Sequence, residues 1–306
     1  MSPPTAPELS VVVPVYNEAG NVVPLFVEIR DVMQGLGRSY EVIFVNDGST
    51  DTTLDELRQL VATEPSLRIL DLAANAGEAG ALCAGFNAAR GALVVTLDGD
   101  GQNPPHDIPR VLAALERGGY RVVSGWRQQR QEGFVLRVLP SRIANWLIAA
   151  VTRLPVHDNG CGLKVYRRDV VAGASLPRGM NRFMPAIFGV TAAEVAEVPV
   201  DDRSRRHGES HYGISRTLVV MRDLLALRLI IANPRAGEPV SAAVTIAAAL
   251  AGLAGVWRGD AALAVVGAVG VTIGAMIWWN LRRFNRAQRD GVYRVRREYG
   301  GGEGIA

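Results

Sequence analysis

Lysine is almost missing from these 306 residues: of 33 basic side chains, Lys164 alone is an ammonium and the rest are arginine. With a net charge of only +3 and an isoelectric point near 9.1, the arginine excess fits nucleic acid, a membrane surface or a phosphorylated substrate, and its distribution has to decide. Cysteine is scarce as well. Cys83 and Cys161 stand far apart and outside any CxxC or Cys/His cluster, which leaves out a zinc site and a disulfide framework and fits a reducing compartment. The first ten residues, MSPPTAPELS, hold no basic and apolar signal region, so the first domain is expected to stay on the side where it is made. No GxGxxG follows a predicted strand, which disfavours a Rossmann dehydrogenase. Apolar residues are plentiful instead: a hydrophobic share of 48% and a mean hydropathy of +0.13 are high for a purely soluble protein, and part of the chain is expected to meet lipid.

Against these gaps stands TLDGDGQNPP, residues 96–105. It follows a short, β-branched apolar run, Ala92 to Val95, so Asp98 and Asp100 are predicted to emerge at a strand's carboxyl end, where open α/β sheets bind ligands. Two aspartates one residue apart project to the same side of an extended backbone and can share a divalent cation with phosphate oxygens. Gln102 continues that parity, Gly99 and Gly101 let a pyrophosphate approach the backbone, and Asp107 is placed to start the next helix after the stiff Asn103-Pro104-Pro105 exit. A bare DxD is often no more than an acidic turn; Gln102 and the double proline weigh against that here.

Three earlier strand ends repeat the arrangement. Leu9 to Val13 runs into PVYNEAGNV (14–22), with Asn17 or Asn21 as a helix cap and with Tyr16 and Glu18 at the strand end, where a turn tyrosine and a first-turn acid would serve equally well. Tyr40 to Val45 precedes NDGSTDTT (46–53): Asp47 is placed to accept from a nucleobase or ribose, or forms a plain Asp-Gly turn, and Asp51 or Thr52 can cap the helix over Leu54 to Val61. Leu67 to Leu72 leads into NAGEAGALCAGFNAARG (75–91), a glycine-rich turn entering a small-residue helix whose N-terminus can face an anion. Strand and helix alternating four times predict an α/β fold, a mostly parallel sheet with helices on both faces, and Tyr120 to Ser124 a further strand.

The arginines gather beyond this pattern. Between Arg137 and Arg153 one helical face collects Arg137, Ser141, Arg142, Asn145 and Arg153, opposite Leu139, Ile143, Trp146, Leu147 and Val151: a helix lying on an anionic membrane, or an ordinary surface helix on its own sheet. HDNGCGLKVYRRD (157–169), RGMNRFMP (178–185) and DRSRRHGESHYG (202–213) follow, and three basic loops in one apolar domain favour a common anionic ligand. Ile214 to Ala232 is a long apolar helix broken by Asn233-Pro234. Val240 to Trp257 and Ala261 to Leu281 hold no charged residue, and at 1.5 Å per residue each reaches roughly 27 to 31 Å, enough for a bilayer core. Arg258-Gly259-Asp260 joins them, and arginine before and after the pair predicts, by the positive-inside rule, both termini on the cytoplasmic face. The expected division is an α/β domain over 1–233 with interfacial helices at about 133–153 and 214–232, a transmembrane hairpin over 234–285 (spans 240–257 and 261–281) and a basic cytoplasmic tail over 286–306.

Together PVYNE, NDGSTD, NAGEAGAL, LDGDGQNPP, HDNGCGLKVYRR, and RRHGESHYG followed by paired hydrophobic helices resemble the family-2 glycosyltransferases of the polyprenyl-phosphate class, the dolichyl-phosphate mannose synthase-like enzymes, over nearly the whole chain. The resemblance implies a GT-A fold that passes a sugar from a nucleoside-diphosphate sugar to a polyprenyl phosphate of undecaprenyl type at the cytoplasmic face of the inner membrane. It implies a nucleotide-sugar pocket with Pro14, Tyr16, Glu18, Asp47 and Gly77, and Mg²⁺ or Mn²⁺ with the diphosphate at Asp98, Asp100 and Gln102. Arg127, Arg137 and Ser141 would meet the lipid phosphate, while Arg205, counted as catalytic, and His211 would close over the donor phosphates. The family usually has lysine at 211, so phosphate binding there should weaken as pH rises. Asp158 is a candidate base or orienting group. A homo-oligomer is allowed for, nucleic acid is not.

The chemistry agrees with the resemblance. A phosphate monoester with a second pKa of about 6 is mostly ionised at pH 7 and needs no dedicated base, and guanidinium forks can bring two anions together. A single displacement would invert the anomeric centre. A processive polysaccharide synthase also uses DxD and membrane helices but usually carries QxxRW, which is missing here. A catalytically silent nucleotide-binding adaptor has no need of acids at 47, 98 and 100, and a nucleic-acid binder none of lipid-length helices.

Overall fold

The computed structural model describes residues 6–128, 139–203 and 214–301, the side chains at 139–144 and 214–221 excepted. They form two compact units, a sheet-centred one and a helical one.

In the first unit β1 (Leu9–Val15), β2 (Tyr40–Asn46), β3 (Leu67–Leu72) and β4 (Leu93–Thr96) pair in parallel, β1 lying between β2 and β4. Helices α1 (Val22–Leu36), α2 (Thr53–Val61) and α3 (Gly77–Ala88) connect them, and α4 (Ile108–Gly118) follows β4. Residues of these strands are buried almost without a break, as parallel strands covered on both faces must be. Val11 and Val13 of β1 share one core with Phe26, Ile29 and Met33 of α1 and Leu112 and Leu115 of α4. Each such side chain contributes about 1.5–3 kcal/mol by leaving water. Phe86 of α3 meets Tyr166 edge-on, with ring centroids 5.5 Å apart.

The sheet is mixed beyond β4. β5 (Val122–Arg127), β6 (Lys164–Arg167), β7 (Val195–Val200) and β8 (Val295–Gly300) give the order β7-β5-β6-β4-β1-β2-β3-β8, with β6 antiparallel to both β4 and β5. Four of the seven pairings are parallel and three antiparallel. Short helices α6 (Arg168–Val171) and α7 (Met184–Ile187) lie between β6 and β7, and α5 (Leu139–Thr152) precedes β6.

Within the stretch expected to be a basic tail, residues 295–300 join the sheet. β8 (Val295–Gly300) runs antiparallel along β3 at the far edge. A buried guanidinium holds it there: Arg68 of β3 donates to Glu41 Oε2 at 2.6 Å and to Glu298 Oε1 at 2.8 Å. Because Arg68 and Glu41 are both buried, losing either would strand its partner's charge away from water.

The second unit contains α8 (Ile214–Ala232), α9 (Pro234–Arg258) and α10 (Ala261–Asp290). Asn233 and Asp260 cap the last two, their side chains accepting from Ala236 N at 3.1 Å and Leu263 N at 3.0 Å. Both helices are long and apolar enough to cross a membrane, with mean hydropathies of 1.9 and 2.1 and only 11% of each apolar window buried. They lie backbone to backbone: a Cβ on Gly267 would sit 2.3 Å from Gly252 Cα, so small residues set the approach. At one end Arg282 lies over Trp278, and Arg222 and Arg283 over Trp279, as at a membrane interface.

Candidate active site

Asp98 and Asp100 follow the last residue of β4, where Thr96 Oγ1 donates to Gly162 O at 2.7 Å. Asp100 is buried, and its Oδ1 accepts from the Gln102 backbone N–H at 3.0 Å, an Asx turn that fixes the loop. Gln102 O in turn accepts from Arg203 N at 3.0 Å. The Asp98 carboxylate lies directly over Gly162, where a Cβ would come within 2.3 Å of the carboxyl carbon. Any side chain at 162 would therefore displace it.

Asp98 sits deep, yet part of it lines a cavity with Glu78, Asn159, Lys164, Asn181 and Met184. Burial, and then Glu78 and Asp100, push its carboxyl up to about 8, against the pull of Arg127 and Lys164. A carboxylate so placed is satisfied by a proton or by a cation, and an all-oxygen donor pair suits a hard divalent ion such as Mg²⁺ or Mn²⁺. The floor is tied down by Lys164, whose buried Nζ donates to Cys161 O and, at 3.3 Å, to Asn159 O. The Cys161 thiol is pushed up to about 12 by burial, so it is no nucleophile. Glu78, Gly162 and Asn181 carry no local signal of a role, whereas Lys164 stands out as the only lysine, in one of the basic loops expected to meet an anion.

Asp47, at the end of β2, is used differently. Its two oxygens accept from Ala76 N at 2.6 Å and Gly77 N at 2.9 Å, at the start of α3. Burial raises its carboxyl, while those two N–H groups and Arg178 pull the other way. Arg178 also donates to Asn75 O at 2.9 Å and to the Asn75 side chain. Pro14 stands within β1 opposite Val45, Tyr16 is 47% exposed just beyond that strand, and Glu18 accepts from Asn21 Nδ2 at 2.7 Å. Asn21 precedes α1 but makes no side-chain cap, and Asp51 rather than Thr52 accepts from Thr53 N, at 3.0 Å.

Arg127, at the end of β5, donates through Nε and Nη2 to the two oxygens of buried Asp158 at 2.8 and 3.1 Å. Its Nη1 lies 3.9 Å from Asp202, and the acids around it raise its pKa still further. Arg137, Arg205 and His211 lie outside the described residues, and Ser141 falls in α5 where only the backbone is described. Asp107 stands at the N-cap of α4 as expected, but its side chain makes no capping bond: it accepts from Asp201 N at 2.8 Å and from Arg110. His106, Asp107 and Asp201 bring their ligand atoms within 4.8 Å of one another, but Arg110 and Arg203 already sit on that group, Arg203 Nη2 at 3.3 Å from His106 Nδ1.

The likenesses to known proteins follow this geometry. Over 223 residues the chain is 44% identical to dodecaprenyl-phosphate galacturonate synthase of Rhizobium johnstonii, covering 72% of this chain and 66% of that protein. It is 38% identical over 219 residues to undecaprenyl-phosphate 4-deoxy-4-formamido-L-arabinose transferase of Edwardsiella ictaluri, covering 71% and 66%. The match thus spans just under two thirds of either relative's length. Among solved structures, glucosyl-3-phosphoglycerate synthase from Mycobacterium tuberculosis, in complex with Mn²⁺, UDP-glucose and phosphoglyceric acid, shares the fold with a TM-score of 0.57, at 21% identity over 76% of this chain and 82% of that one. The family model for glycosyl transferase family 2 matches residues 10–173, from β1 through the Asp98/Asp100 loop and β6 to the end of α6, and the chain belongs to that family.

Proposed function

We propose that the chain transfers a sugar from a nucleoside-diphosphate sugar to a polyprenyl phosphate at a membrane surface, with inversion at the anomeric carbon. The observation that carries this is the pair of part-buried Asp98 and buried Asp100 at the end of β4, in a chain that also bears two bilayer-length helices. The names of the two relatives, each a polyprenyl-phosphate sugar enzyme, support the acceptor class.

Asp98 and Asp100, with the Gln102 turn behind them, would hold Mg²⁺ or Mn²⁺. When bound, the cation supplies positive charge to the departing diphosphate. Asp47 fixes the start of α3 beside the cavity, so Glu78 is set in place relative to Asp98. The bond from an acceptor phosphate oxygen to the sugar C1 forms as the C1 bond to the diphosphate breaks with its electron pair. No proton need be exchanged, so Asp158 acts by orienting Arg127 and not as a base. The α9/α10 pair spans the bilayer, both its ends and the sheet unit lying on the cytoplasmic side.

The test is the full chain in detergent with undecaprenyl phosphate and a panel of nucleotide sugars, with and without EDTA. The expected result is an organic-soluble phosphosugar from one donor, lost in EDTA and restored by Mn²⁺ or Mg²⁺, with inverted stereochemistry by NMR. No transfer from any donor would overturn the reading, and a long polymer would turn it toward a processive synthase.

A further inference from the structure

The Arg127–Asp158 pair has a neighbour that the proposed reaction does not use. Trp126 precedes Arg127 and His157 precedes Asp158, and their rings stack with centroids 4.8 Å apart and planes 21° apart. Behind them Glu197 of β7, 7% exposed, accepts on Oε1 from the backbone N–H groups of His157 at 2.8 Å and Asp158 at 3.0 Å. Its Oε2 meets His157 Nδ1 at 2.7 Å.

The two backbone bonds already fasten the loop, so the imidazole bond is not needed for that. What it does is orient the ring. With Nδ1–H on a carboxylate, Nε2 is the nitrogen left for a ligand, and among the described residues it has no partner. The side chain is nevertheless 67% exposed. A ring stacked on one face and bonded at one nitrogen has lost most of its rotamer freedom before a ligand arrives, which lowers the entropy cost of binding.

Arg127, expected to meet the lipid phosphate, gives Nε and one Nη2 N–H to Asp158, while Nη1, at 3.9 Å from Asp202, is beyond hydrogen-bond reach of it. The charged groups around His157 are Glu197 of β7, Asp158 on its own segment and Arg127 of β5; a phosphate monoester, with a second pKa of about 6, can bring the proton that its bond to Nε2 shares.

We propose that His157 binds the acceptor's phosphate monoester through Nε2, with Glu197 as its positioning residue. The inference rests on the reading that the acceptor is a polyprenyl phosphate.

The test titrates decyl phosphate, inorganic phosphate, and inorganic pyrophosphate with Mn²⁺ against the full chain in detergent, by calorimetry, for wild type, His157→Ala, His157→Gln and Glu197→Gln. His157→Ala should weaken decyl phosphate binding about tenfold, the loss of one charge-assisted hydrogen bond, and leave pyrophosphate–Mn²⁺ binding and the thermal midpoint unchanged. His157→Gln, which keeps an N–H donor, should recover part of the loss, and Glu197→Gln should fall between. Unchanged decyl phosphate binding in His157→Ala overturns the proposal, as does equal weakening of both probes or a fall in the midpoint, which would mark a structural role. Equal affinity for inorganic and decyl phosphate, both weakened by the substitution, would make this a free-phosphate site and overturn the lipid assignment. Wild-type protein that binds pyrophosphate–Mn²⁺ but not decyl phosphate would remove the acceptor reading itself.

Discussion

Asp47 and Asp98 close two parallel strands of one sheet, β2 and β4, each the first acid after an apolar run. The chain that follows Asp47 turns back and offers it two backbone N–H groups, those of Ala76 and Gly77. Asp98 is met by Glu78 and Asp100, both acids, and by Gly162, whose missing side chain leaves the carboxylate room beside a cavity. A carboxylate surrounded by donors belongs to the frame. One at which burial and two acids outweigh the cations nearby, and which is kept open, is set up for a further cation. The difference lies in what long-range folding brings to the carboxylate, and neither strand end shows it in its own few residues.

The sharpest break in this comparison is at β4. Asp98→Asn and Asp100→Asn should each lower turnover by about a thousandfold or more, since several kcal/mol of charge stabilisation depend on the cation they hold. In EDTA the Asp98→Asn midpoint should be equal to or above wild type, because burial and two acids disfavour that charge. Product formation and thermal melts, run side by side, check both halves. A large drop in the midpoint would move Asp98 into Asp47's class. Gly162→Ala comes next: a Cβ 2.3 Å from the Asp98 carboxyl carbon must push it aside, and displacement of that order costs about a hundredfold in rate. A steeper Mn²⁺ requirement in this variant would trace the loss to Asp98.

Much of the frame was legible beforehand. The apolar runs before Asp47 and Asp98 are β2 and β4 to within a residue or two, because buried parallel strands leave a continuous β-branched signature. The two bilayer-length helices are legible for the same reason, that every side of them is apolar. β6 and β8 are not. Four residues inside HDNGCGLKVYRRD and six in VRREYG are too short and too charged to show a period, and only their partners, β4 and β5 for one and β3 with Arg68 for the other, make them strands. At the site, the place of Asp98 and Asp100 just past a strand end was readable from the apolar run before them. Of the two roles expected for Asp158, base or orienting group, the placement of both its oxygens on Arg127, thirty-one residues earlier in the chain, favours the second. Glu78 comes from one segment and Gly162 and Lys164 from another, and no local pattern joins the two.

The smaller effects lie at β2. Asp47→Asn removes one acceptor from a pair of N–H groups at a buried site, a loss of about 1–3 kcal/mol, read as a fall in the midpoint of roughly 2 to 4 °C per kcal/mol. Its activity should follow its stability, unlike the Asp98 variants. The pH dependence adds a second mark. Because burial raises the Asp47 carboxyl, the folded protein holds that proton to higher pH than the unfolded chain does. The stability this contributes is full below the ordinary carboxylate range and is lost as pH rises from there through the folded value. Asp47→Asn should remove that part of the slope when melts are compared from pH 4 upward. Arg178→Ala should do least. Its guanidinium is exposed, so its hydrogen bonds to Asn75 and its charge near Asp47 are worth under about 1 kcal/mol. Since Arg178 favours the Asp47 carboxylate, its removal should raise that carboxyl further and widen the pH window over which stability falls. An unchanged window would mean that the two backbone N–H groups, and not the arginine, govern the charge on Asp47.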